Sequence, residues 1–133
     1  MLSYIQVSSK SRNELIDITG RVEELVAKSG VTSGICFLFC LHTTAAITVN
    51  EGADPDVRRD IARFLSTLVP VDAPFAHGEG NSDSHVKSSL VGVSETLLIE
   101  GGRLLLGTWQ SVYFCEFDGP RSRKVAVRII ADS

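Results

Sequence analysis

A chain of 133 residues fits one domain that buries roughly two thirds of its unfolded surface. Its acids and bases are interspersed and sum to −3 with a pI near 5.5, so no basic stripe is available to follow a phosphate backbone, and nucleic acid is excluded as the expected partner. The longest apolar run, Ile35 to Leu41, falls well short of the roughly 18 residues of a membrane span, and "MLSYIQVSSKSR" lacks the basic start and long apolar middle of a signal peptide, so a cytoplasmic protein without membrane contact is expected.

In chain order, "YIQVSS" and "ELIDIT" read as strands. "GRVEELVAKSG" places Val22, Leu25 and Val26 on one helical face, with Thr19 as the expected N-cap and Gly30 as a left-handed C-cap. "GICFLFCL" is apolar without alternation and predicts a central strand covered on both faces. A strand "AAITVN" follows, then a helix opened by Asp54 as N-cap with Pro55 in its first turn and a buried stripe of Val57, Ile61, Phe64, Leu65 and Leu68. "SHVKSSLVG" predicts a short helix capped by Ser84, with His85 in its first turn and Leu90 in the core. "TLLIE", "RLLLGTWQSVYFCEF" and "KVAVRII" complete the chain as strands joined by "GG" and "DGPRS", both read as hairpin turns. With no helices between these closing strands to make parallel crossovers, the fold class is α+β: a single domain over residues 1–133, with mixed or mainly antiparallel sheet and about three helices. Cys36, Cys40 and Cys115 lie in apolar runs without a CxxC and read as buried thiols rather than a zinc site.

Two of the three histidines fall within "HGEGNSDSH", residues 77–85. Turn geometry explains its Gly, Asn, Ser and Asp residues, but nothing about turning requires imidazole. His42, with Thr43 and Thr44, follows the central strand, and Asn50 and Glu51 follow the next; the two groups meet only if that intervening strand is short or bent. Three histidines converging with a carboxylate from Glu51 or Asp83 would suit a divalent, zinc-like metal, so His42, His77 and His85 are candidate ligands. A second use of the same segment is anion binding: Asn81, Ser84, His85, Lys87, Ser88 and Ser89 gather at a helix start, where free N–H groups and the helix dipole favour phosphate. Lys87 by itself reads as a surface lysine. Arg121 and Arg123 flank a turn and offer a phosphate fork, and Trp109 offers a face for a heteroaromatic ring.

The motifs "HTTAAITVNE", "DPDVRRDIARFL", "HGEGNSDSHVKSSLVG" and "GRLLLGTWQSVYFCEFDGPR", in that order, resemble the YjbQ-like family, an uncharacterised family linked to secondary thiamine phosphate synthase activity. The resemblance runs from about His42 to the C-terminus. It implies a homotrimer with polar sites near subunit boundaries that include His42, Glu51, His77, Asp83 and His85. Thiamine phosphate formation joins a pyrimidine methyl diphosphate to a thiazole phosphate and expels pyrophosphate from a carbocation-like carbon, which calls for cations or a metal on the leaving group and shielding from water. Enzymes of that reaction use magnesium with carboxylates, whereas histidines favour a softer metal. Two alternatives stand beside the synthase: a metal-assisted hydrolase of a phosphorylated metabolite, and a module that binds metal or ligand without turnover. The long strand Arg103 to Phe117 is expected to leave Tyr113 or Phe117 uncovered for a neighbouring subunit.

Overall fold

The computed structural model describes residues 2–133. Its elements are β1 (Leu2–Ser8), β2 (Glu14–Asp17), α1 (Thr19–Ser29), β3 (Ser33–Cys40), β4 (Ala45–Glu51), α2 (Pro55–Leu68), α3 (Ser82–Val91), β5 (Ser94–Glu100), β6 (Arg103–Leu104), β7 (Gln110–Glu116) and β8 (Ser122–Ala131). Every strand pairing is antiparallel: one sheet has the order β1-β8-β3-β5-β6, the other β2-β7-β4. The α+β class with three helices is as the sequence predicts.

β3 is central, between β8 and β5, but it is not covered on both faces. Cys36, Leu38 and Cys40 point into the core, while Ile35, Phe37 and Phe39 stand on an open face, each 37–40 % exposed. Register places Ile35 between Leu98 and Ile130, and Phe39 beside Ala126, which also faces Tyr4. Apolar side chains therefore continue across four strands, and among the described residues no helix or strand covers them.

The segment from Arg103 to Phe117 is not one strand. A turn at residues 107–110, closed by Gln110 N–H to Gly107 O at 3.0 Å and Gly107 N–H to Gln110 Oε1 at 2.7 Å, carries the chain from one sheet to the other. "GG" does close a hairpin, with φ of 60° at Gly101 and 77° at Gly102, the left-handed pair that a tight type I′ turn demands. "DGPRS" does not, because β7 and β8 belong to different sheets. At Gly119 the backbone runs against Ser11 O, leaving no room for a Cβ.

Core packing lies on both faces of β7. Val112 and Phe114 join Val22, Val26, Leu38 and Ile47 between the sheets and α1. Tyr113, Cys115 and Phe117 join Leu15 and Ala46 beneath α2 and α3. Tyr113 and Phe117, expected at the surface, are each 1 % exposed because the two outer helices cover them. All three cysteines are buried; burial pushes the Cys36 thiol up to about 11 and Cys115 to about 12, which makes them inert small hydrophobes.

Helix ends follow the sequence in part. Gly30 is left-handed, and Asp54 caps α2 through Asp56 N–H at 2.9 Å with Pro55 behind it. Thr19 is instead the first residue of α1, held by the Asp17 carboxylate, which accepts both its N–H and its hydroxyl. α3 starts two residues earlier than Ser84, so Ser84 is buried inside it and donates to Phe117 O at 2.5 Å. On α2 only Ile61, Ala62 and Leu65 pack inward; Phe64 and Leu68 face outward, because the narrow three-stranded sheet offers too little surface for the whole stripe. Leu90 is likewise 60 % exposed rather than core. No described helix is long and apolar enough to cross a membrane.

Candidate functional site

His42 leaves the end of β3 and turns back onto β8. Its Nε2 accepts the Lys124 backbone N–H at 2.9 Å, which places the ring proton on Nδ1. Burial, and then the positive charge of Arg123, lower its pKa from the ordinary histidine value, partly opposed by Glu116. A neutral imidazole with one N–H donor follows. The ring lines a cavity of about 800 Å³, with Phe39, Leu41 and Thr43 beside it and His85, Ser89 and Val93 across from it. That volume is in the range of small-molecule sites, and its walls are largely apolar with a few polar groups.

His85 stands in the first turn of α3, its N–H bonded to Asn81 O at 3.4 Å. The His77 ring meets it edge-on, with centroids 5.7 Å apart, and His77 Nε2 lies 3.6 Å from Glu79 Oε2. A second depression, formed with Phe75 and Val86, reaches His85 from the other side. His85 thus borders both spaces and connects His42 with His77. The three histidines do not, however, form a ligand set. The Nε2 lone pair of His42 is committed to Lys124, and among the described residues no three His, Cys, Asp or Glu side chains gather as a metal centre. One chain does not fit the three-histidine metal site that the sequence suggested.

Several predicted anion contacts are occupied otherwise. Lys87 is 1 % exposed, with Nζ at 3.3 Å from Asp83 Oδ2 and 3.0 Å from Asn13 Oδ1. Asp83 also accepts from Arg12 at 2.9 Å. Neither Lys87 nor Asp83 is therefore free for a ligand: α3 turns this i,i+4 pair against the second sheet, and the spacing Asp-x-x-x-Lys was the legible signal for it. Asn81 donates to Asp118, Ser88 to Ala45 O, and Arg121 to both the carbonyl and the carboxylate of Asp118.

Behind His42 is a polar layer that the sequence reading missed. Buried Arg123 grips Glu116 through Nε and Nη2, and the same Nη2 also reaches the Thr44 hydroxyl at 2.9 Å. Thr44 is thus part of this support, and Thr43 lines the cavity. Burial alone would raise the Glu116 carboxyl, but donors from Arg123, Ser9 and Asp118 N–H bring it below the usual carboxylate range. The alternation Arg123, Val125, Val127, all facing inward on β8, was the available signal.

Asn50, Glu51 and Trp109 are elsewhere. β4 is straight enough to separate Ala45 from Glu51 by its full length, about 20 Å at ~3.3 Å per residue. There the Glu51 carboxylate accepts Ala53 and Asp54 N–H at the entrance to α2, and Trp109, 64 % exposed, accepts Gly52 N–H through its carbonyl. In one chain the motif residues form two groups at opposite ends of the second sheet.

The family model described as UPF0047 protein YjbQ-like matches residues 3–132. A UPF0047 protein of Methanocaldococcus jannaschii is 52 % identical over 132 residues, covering 99 % of this chain and 96 % of that protein. UPF0047 protein YugU of Bacillus subtilis is 47 % identical over 131 residues, covering 98 % and 99 %. Among solved structures, an uncharacterised YjbQ/UPF0047 family protein of Clostridium acetobutylicum superposes with a TM-score of 0.94 at 50 % identity, covering 96 % of this chain and 99 % of that one. A YbjQ-like protein of unknown function from Sulfolobus solfataricus gives 0.95 at 33 % identity, covering 99 % and 97 %. The shared sequence and the shared fold extend over almost the whole chain, which belongs to the UPF0047/YjbQ family.

Proposed function

We propose that the chain is a small-molecule enzyme acting on a phosphorylated substrate in the His42–His85 cavity, by a thiamine phosphate synthase-like transfer. The observation that carries this reading is the pairing of a neutral, donor-bearing His42 with His85 across a cavity whose remaining walls are mostly apolar. In the transfer, the C–O bond between the pyrimidine methylene and its diphosphate breaks, the thiazole nitrogen attacks that carbon, and pyrophosphate leaves. The two histidines would stabilise charge developing on the leaving group, and Phe39, Leu41 and Val93 would keep water from the cationic carbon. Lys87 takes no part, since Asp83 holds it.

The working form on this reading is a homotrimer, as the family resemblance implies. Support comes from the open face carrying Tyr4, Ile35, Phe37, Phe39, Leu98 and Ile130, a contiguous apolar surface of the kind that marks an interface. A neighbouring copy would also bring a Glu51–Trp109 group to the cavity that one chain leaves without it.

Incubation with the pyrimidine methyl diphosphate and the thiazole phosphate together should release pyrophosphate and thiamine phosphate, and His42→Ala or His85→Ala should abolish both. Phosphate release from either half alone would establish a hydrolase instead. Saturable binding of a half without any turnover would leave only a binding module.

A further inference from the structure

The opposite flank of the second sheet carries a separate groove of about 460 Å³ between β2 and α2. Its α2 wall is the face Pro55, Arg58, Arg59, Ala62 and Arg63, spaced i, i+3, i+4, i+7 and i+8. Ala62 is the small residue of this wall, and the three arginines line the groove with it. Arg59 is neutralised by Asp56. Among the described residues, Arg58 and Arg63 form no ion pair. The one carboxylate in the lining, Glu14, is engaged by the N–H groups of Lys10 and Ser11 at 2.6 and 2.7 Å. With Asp56 balancing Arg59 and Glu14 keeping its own charge, three arginines against two carboxylates leave the groove net positive by one on a chain of net charge −3.

The donors are also held in place. Arg58 lies 5.7 Å from the centroid of the Tyr113 ring, and Tyr113 is itself fixed by packing and by its hydroxyl, which donates to Glu51 O at 2.8 Å. Asn13 gives its Oδ1 to the buried Lys87, so its amide orientation is set and Nδ2 remains as a free donor on a residue that lines the groove. Two arginine forks without a carboxylate partner and an amide N–H₂ on one lining are donors of the kind that take the oxygens of a phosphoryl group.

We infer that the groove between Asn13 and Arg58–Arg63 binds the phosphoryl group of a small anion, a phosphate monoester or a diphosphate, at a site separate from the His42–His85 cavity. The inference does not depend on the reaction proposed for that cavity.

The test is NMR titration of the whole protein with pyrophosphate, inorganic phosphate, a simple phosphate monoester and sulfate, following the Asn13 side-chain amide, the Arg58 and Arg63 Nε–H signals and the His85 ring. The expected result is saturable shifts at Asn13, Arg58 and Arg63 with at least one phosphoryl anion and weaker ones with sulfate. An Arg58→Gln/Arg63→Gln double variant should weaken the Asn13 response by roughly tenfold or more, since each lost contact is a charge-assisted one, while any His85 response persists. The relative response to phosphate, monoester and diphosphate identifies the form bound. Shifts at Asn13 that stay linear, that sulfate reproduces with equal affinity, or that survive in the double variant overturn the site. Loss of the His85 response alone counts against the cavity and not the groove.

Discussion

His42 and Lys124 are joined by a single hydrogen bond, backbone N–H to Nε2 at 2.9 Å, and that bond determines which imidazole nitrogen can act. The ring should be neutral with its proton on Nδ1 at neutral pH. Burial and Arg123 lower its pKa, so the folded ring resists protonation until below the ordinary value near 6.5. The unfolded chain then binds the proton first as pH falls, and stability should decline through the ordinary histidine range before levelling off below the folded value. Nitrogen-15 NMR of labelled imidazole should show the Nδ1–H tautomer and a depressed midpoint; a ring that titrates above the ordinary histidine value, or carries its proton on Nε2, contradicts this assignment.

The pair behind it, Arg123 with Glu116, should matter more to folding than to binding. Removing one partner leaves a buried charge uncompensated, at a cost of about 3–5 kcal/mol. Arg123→Met should therefore destabilise strongly in urea unfolding, and adding Glu116→Leu should recover much of the loss. Because the folded Glu116 pKa is lowered, its stabilisation is complete above the ordinary carboxylate value near 4.3 and is lost as pH falls through the folded one. Glu116→Gln should flatten that part of the acid-unfolding profile; an unchanged profile would remove Glu116 as its source.

Two neighbours on α3 should behave oppositely. His85, partly exposed at the cavity, should tolerate replacement by Ala with a stability change near 0.5 kcal/mol and lose ligand binding. Lys87→Ala should cost about 2–3 kcal/mol, below the roughly 3–5 of a fully broken buried pair, because buried Asp83 loses one cation and keeps Arg12. Leu38→Ala, at a position with no exposure, is the proper core reference at about 2–5 kcal/mol, and Leu90→Ala should change little. Equal melting temperatures for the His85 and Lys87 variants would contradict this division of roles.

Local rules made most of the fold legible. Asp54-Pro55, Gly30 and Gly101-Gly102 are punctuation whose geometry is set by the residues themselves, and they occur where the sequence places them. Partner choice was not legible. Period two along β7 cannot say that both faces are covered, nor can an apolar run in β3 say that one face is left open in the chain. Lys87 looked solvent-exposed because a lysine is a surface residue by default, whereas its actual partners, Asn13 and Asp83, include one brought from 74 positions away. The same limit separated the motif residues: the two polar groups of "HTTAAITVNE" could meet only across a short or bent strand, and β4, extended over Ala45–Glu51, holds them at two ends of a sheet.

That division yields the most demanding expectation, for the proposed trimer. Phe37 stands in the middle of the open face of β3, between Thr96 and Arg128. Phe37→Glu adds a charge there without touching the core, so it should yield a folded monomer by light scattering and circular dichroism. If Glu51 of one subunit serves the His85 cavity of another, Glu51→Gln and His85→Ala should each be inactive as pure oligomers. Mixed after dissociation and reassembly, they should regain roughly a quarter of wild-type activity, because an intact site then needs one particular variant on each side and random assembly supplies that combination at one boundary in four. A monomeric wild-type mass at micromolar concentration would remove the trimer itself. A trimer whose mixed forms stay inactive would confine the reaction to the groups of a single chain.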